Sequence, residues 1–76
     1  MFNYYIFKDG KLLEILKNLP TDEKLFGYLL SCQGQSIDYA LKYGGYLVEV
    51  ENIETKKVTN YKNEKIIENP LCINYL

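Results

Sequence analysis

Residues 21–45, TDEKLFGYLLSCQGQSIDYALKYGG, are the only long stretch with helical spacing, and their reading decides the fold. Thr21 follows Pro20 and suits an N-cap. Asp22 and Glu23 then fall in the first turn, where the helix dipole favours negative charge. At ~100° per residue, Leu25, Leu29 and Cys32 share one line, with Phe26 and Leu30 beside it and Tyr28 on the other flank. The apolar arc is roughly 200° wide, more than one sheet covers, so a second covering surface is expected. Gln33-Gly34-Gln35 interrupts the pattern, and Ser36 suits the cap of a second short helix with Ile37, Ala40 and Leu41 as its core stripe. Asp38 and Lys42 form an exposed i,i+4 pair worth ~0.2–0.5 kcal/mol, and Gly44 suits the left-handed residue that ends many helices. Tyr39 and Tyr43, also four apart, fall outside the core stripe.

Upstream, FNYYIFK-DG-KLLEILK carries an Asp-Gly pair between two apolar runs, the pattern of a β-hairpin. A two-residue turn at Asp9-Gly10 sets Ile6 opposite Leu13, Tyr5 opposite Glu14 and Tyr4 opposite Ile15. Tyr4, Ile6, Leu13 and Ile15 then face the core. Tyr5, Phe7, Leu12 and Leu16 share the other face, which is too apolar for ordinary solvent surface. Leu12, Ile15, Leu16 and Leu19 also fit helical spacing over 11–19, but the matched lengths of the two runs favour the hairpin.

Downstream, Tyr46, Val48 and Val50 alternate with Leu47, Glu49 and Glu51, the period of a half-buried strand. A turn centred on Glu54-Thr55 pairs Val50 with Thr59 and Val48 with Tyr61. Glu49 and Glu51 then go to a solvated face with Lys56 and Lys62, and the polar second strand reads as a protected edge. In the tail, Ile66-Ile67 or Leu71-Ile73-Tyr75 could add a strand, or the tail could cover the bare hairpin face. The expected architecture is a single α+β domain over residues 1–76: hairpin, broken helix pair, hairpin and short tail. The helices lie on one face of a mostly antiparallel sheet.

Composition narrows the function classes. Seventy-six residues leave no room for two cores. Apolar residues make up 47% and charged residues 25%, which argues against disorder, and a net charge of −1 argues against a nucleic-acid binder. No run approaches the ~20 apolar residues of a membrane span. The N-terminus has no basic leader, so a mature cytoplasmic protein is expected. All nine basic residues are Lys, and Ile, Asn, Tyr and Lys are abundant. These are the amino acids of AT-rich codons, the usage of a low-GC bacterium or of a phage or mobile element within one.

The chain has no histidine, so no Ser–His or Cys–His pair exists, and the carboxylates are scattered. Cys32 and Cys72 alone cannot complete a zinc site and read as reduced, buried thiols. No enzyme activity, metal or cofactor is expected. The eight tyrosines are the distinctive feature, because tyrosine buries a large area yet keeps a polar tip at protein interfaces. Tyr39 and Tyr43, together with Tyr5, Phe7, Leu12 and Leu16, are therefore the candidate interface residues. The leading expectation is a non-catalytic protein-binding domain, most concretely a phage or mobile-element inhibitor of a host or defence protein (anti-CRISPR-like). A homodimer is an alternative assembly. Alternative functions are a nucleotide sponge formed by a homodimer, with tyrosines stacking on a base in the dimer cleft, and single-strand nucleic-acid binding by tyrosine stacking with Lys8, Lys11, Lys56, Lys57 and Lys62.

Overall fold

A computed structural model describes residues 1–33 and 36–75; the side chains of residues 32, 33 and 64 lie outside that description. The expected break at Gln33-Gly34-Gln35 and the state of Cys32 therefore fall outside the described residues. Five strands form one sheet: β1 (Phe2–Lys8), β2 (Lys11–Leu19), β3 (Tyr46–Asn52), β4 (Val58–Asn60) and β5 (Asn63–Ile66). The spatial order is β2-β1-β3-β4-β5, and every pairing is antiparallel. Between β2 and β3 lie α1 (Glu23–Gln33) and α2 (Ile37–Tyr43), and a short 3-10 helix, Leu71–Tyr75, closes the chain. This is the α+β arrangement expected, with both helices on one face of the sheet.

Asp9 and Gly10 both take positive φ (51° and 82°), as a tight hairpin turn matched to strand twist requires. Phe7 then pairs with Leu12, but the next pair is Ile6 with Glu14. Leu13 is an extra residue, a β-bulge, and it corrects the expected register from that point onward. Tyr5 now stands opposite Ile15 and Tyr4 opposite Leu16. The bulge brings Ile15, and not Glu14, against the buried Tyr5, which satisfies the apolar side of the sheet. A second irregularity follows near Asn18, which takes φ of 58° and donates its backbone N–H to Asn3 Oδ1 at 3.0 Å.

The helices bury Leu25, Leu29, Ile37 and Ala40 against Tyr4, Ile6, Tyr46 and Val48, with Leu16, Tyr28 and Leu41 packed at the margin. Helix α1 starts one residue later than expected. The Asp22 carbonyl accepts from Phe26 N–H at 3.1 Å, and the Asp22 carboxylate accepts a hydrogen bond from the Tyr61 hydroxyl. Ser36 caps α2 as expected, its hydroxyl accepting from Tyr39 N–H at 3.3 Å. At the other end Gly44 keeps right-handed dihedrals, and Gly45 is the residue with positive φ (73°). Gly44 is needed for space instead: a Cβ there would sit 2.9 Å from both Ala40 O and Tyr46 Cδ2. Asp38 pairs with Lys62 across the fold and not with Lys42 along its own helix.

The β3–β4 register is as expected, with Val50 opposite Thr59 and Tyr61 N–H donating to Val48 O at 2.9 Å. Strand β4 is not an edge, because β5 pairs beyond it. On the sheet face away from the helices, Tyr5, Phe7, Val58 and Cys72 form a second buried cluster, flanked by Leu12, Ile15, Leu47 and Ile67. The 3-10 helix lies over this face, and Phe7 and Tyr75 meet with ring centres 6.3 Å apart.

Candidate functional site

Helical spacing places Tyr39 and Tyr43 together on a flank of α2, off the stripe that Ile37 and Ala40 bury. Their rings touch, with centres 5.1 Å apart at 51°, yet Tyr39 stays 47% exposed and Tyr43 73%. On α1, Phe26 (41%) and Leu30 (57%) form a second exposed i,i+4 pair. The wide apolar arc of α1 is covered only in part: Phe26 meets the Tyr61 ring edge-on, with centres 6.4 Å apart, while Leu30 stands open. The two helices thus leave four large side chains exposed, Tyr39 and Tyr43 on α2 and Phe26 and Leu30 on α1.

The six residues singled out from the sequence separate. Tyr39 and Tyr43 come together at the surface. Tyr5 and Phe7 are buried beneath the 3-10 helix, with Leu12 at the margin of the same cluster. Leu16 belongs to the opposite, helix-side core, because the bulge at Leu13 inverts its face. Burial under the tail removes Tyr5 and Phe7 from any surface a partner could touch.

Glu49 is the largest departure from the sequence reading. It is 2% exposed, not solvated, and its two carboxylate oxygens accept backbone N–H bonds from Leu71 (2.8 Å) and Cys72 (2.7 Å). A buried carboxylate so bonded fixes the start of the 3-10 helix to the sheet. Glu51, two residues on, accepts from Asn3 Nδ2 at 2.8 Å and from the Tyr5 hydroxyl at 3.4 Å. Burial, then a hydrogen bond to Glu49 and the charges of Glu49 and Glu51, pushes the Cys72 thiol up to about 12. Burial first, then the charge of Glu51, does the same for Tyr5, also to about 12. Cys72 therefore stays a thiol at neutral pH, and this cluster holds the tail in place without supplying a nucleophile.

The sequence did carry a signal for Phe26 and Leu30, because an arc wider than one sheet covers must find other cover or remain bare. It carried none for Glu49, since alternation along β3 says which face a residue takes and not whether that face is later covered. Among the described residues no group of three His, Cys, Asp or Glu side chains stands close enough to hold a metal ion, and no helix is long and apolar enough to cross a membrane. Comparison with known proteins found no matching family model, no matching curated protein and no matching solved structure.

Proposed function

We propose that this chain is a small non-catalytic binding domain that docks a protein partner through the outer side of its helical layer. The observation that carries the reading is the Tyr39–Tyr43 pair, held ring to ring on α2 while both rings remain open to solvent. A large aromatic surface that is already ordered loses little conformational freedom on binding, which is why Tyr anchors interfaces. Phe26 and Leu30 extend the apolar area available on α1. Extension to a cytoplasmic inhibitor carried by a phage or mobile element is supported by the all-lysine basic set and the abundance of Ile, Asn, Tyr and Lys.

The test uses the double variant Tyr39→Ala with Tyr43→Ala. Both side chains lie outside the core, so the unfolding free energy from urea melts should stay within about 0.5 kcal/mol of the parent. A partner captured from a low-GC bacterial lysate, then purified, should bind the variant at least ~10-fold more weakly than the parent. Equal affinity for the two proteins would remove this face from the function. Sedimentation velocity on the same pair distinguishes a second copy of the chain as the partner: a dimer lost only in the variant would show that the face is used for self-association.

A further inference from the structure

The geometry points to Glu14 as a guard on the long edge of the sheet, and to β2 of a second copy as the strand it keeps away. Strand β2 is outermost in the sheet and, with nine residues, its longest strand. The hydrogen bonds at the two ends of the β1–β3 ladder fix which way its backbone groups point. Asp9 N–H donates to Gly45 O at 3.0 Å and Ile53 N–H to Met1 O at 3.1 Å, so the odd-numbered residues from Met1 to Asp9 direct their groups to β3. Tyr5 and Phe7 therefore have none left for β2. Their partners there, Ile15 and Leu12, turn N–H and C=O outward to the open edge. Such a row of groups is a template for another strand. The side chains beside it suit one: Leu12, Ile15 and Leu16 are half-buried and Leu13 is 46% exposed.

The edge is not left bare. Ile15 N–H donates to Glu14 Oε1 at 3.0 Å, an exposed bond in which the carboxylate takes the place of an incoming strand's carbonyl. A charged acceptor holds the amide more firmly than that neutral carbonyl would. The bulge at Leu13 and the positive φ of Asn18 distort the strand on either side, and exposed Lys11 and Lys17 flank its centre. Asn18 N–H is itself taken by Asn3 Oδ1. The same chemistry recurs at the far edge, where β5 has only four residues and Lys65 N–H donates to Asn63 Oδ1 at 3.1 Å. On β2 the cap closes an edge that fits a copy of itself. A two-fold axis through Ile15 lets each Ile15 N–H meet the other's carbonyl, sets Glu14 opposite the second copy's Leu16, and brings no like charges face to face. Axes through Glu14 or Lys17 would oppose like charges, so Ile15 is the centre of the pairing. The edge includes none of Phe26, Leu30, Tyr39 or Tyr43 and stands apart from the proposed docking face.

The experiment compares Glu14→Ala, which removes the cap, with Glu14→Gln, which keeps an acceptor oxygen in the same place. Glu14 is exposed, so both variants should fold as the full chain does. All the proteins compared also carry Tyr39→Ala and Tyr43→Ala, which removes any association through the helical layer. Sedimentation velocity at about 0.5 mM protein should show the chain with Glu14 and the Glu14→Gln variant as monomers. Glu14→Ala should form a dimer, associating at least ~10-fold more tightly than either. In that dimer the Ile15 amide should exchange with solvent at least ~10-fold more slowly than in the dilute monomer. The proposal is overturned if Glu14→Ala stays monomeric, or if Glu14→Gln associates as tightly as Glu14→Ala. A Glu14→Ala dimer whose Ile15 amide is no better protected would also overturn it, by placing the contact elsewhere. So would a dimer with protected Ile15 amides in the chain that keeps Glu14, because the carboxylate would then close nothing.

Discussion

Gly27, Gly44 and Gly45 do different work in the helical layer, and their surroundings separate them. Gly45 takes φ of 73°, and an added Cβ would lie 2.5 Å from Asp9 Oδ1, so both backbone and space require glycine. Gly44 is required by space alone, because Ala40 O and the Tyr46 ring crowd it. Gly27 is neither. It sits within α1, and nothing lies within 4 Å of the Cβ it lacks. Glycine inside a helix costs about 0.5–1 kcal/mol relative to alanine, through backbone entropy in the unfolded chain. Gly27→Ala should therefore raise stability by about that amount and Tm by a few degrees, read by thermal melting. A lowered Tm would mean that the backbone of α1 needs glycine at this point. At ~100° per residue Gly27 falls on the polar side of α1, with Glu23, Lys24 and Ser31. The sequence could not show which of Gly44 and Gly45 would adopt positive φ, because that depends on where the Asp9 turn sits: Asp9 N–H bonds Gly45 O at 3.0 Å.

At the scale of elements, the hairpins, both helices and the β3–β4 register were legible, because each is specified by local chemistry. Asp9-Gly10 selects the first turn, Ser36 the cap of α2, and alternation from Tyr46 to Val50 the helix-side face of β3. The bulge at Leu13 was not legible. Equal runs of apolar residues on both sides of the turn suit a regular ladder, and only burial of Tyr5 under the tail makes Ile15 the better neighbour than Glu14. The tail illustrates the same dependence on distant sequence. Its 3-10 helix is held by a carboxylate 22 and 23 residues earlier, a pairing no local pattern announces. Glu49→Gln keeps the shape of the side chain but presents an amide NH2 to one of the two backbone donors and removes the charge. It should lower stability by about 1–3 kcal/mol, and the Leu71 and Cys72 amides should exchange with solvent much faster than in the parent. Unchanged protection of those two amides would mean that apolar contacts alone hold the tail.

At the scale of the whole molecule, one sheet is packed on both faces, and the cluster on each face holds weak acids in their protonated form. Tyr5 and Cys72 lie beneath the tail, and Tyr61 lies between the sheet and α1. Burial is the largest cause in all three cases, joined at Tyr61 by the Asp22 carboxylate, and it raises each group above its ordinary value of 10 for tyrosine and 9 for cysteine. The folded chain therefore binds these protons more tightly than the unfolded chain does. Their contribution to stability is fully present below pH 9. As pH rises, Cys72 ionises first in the unfolded chain, then the tyrosines, and the folded state loses up to about 1.4 kcal/mol per pH unit for each group until the group ionises in the folded state as well. Urea midpoints should accordingly fall between pH 9 and 12, with the Cys72 share ending near 12. Because lysines titrate in the same range, the decisive comparison is between parent and Cys72→Ala. The variant should be less stable at pH 7 through the cavity it creates, yet lose less stability between pH 9 and 11 than the parent does. Parallel curves for the two proteins would show that the Cys72 thiol ionises in the folded chain at its ordinary value, and that the tail does not seal this face of the sheet from water.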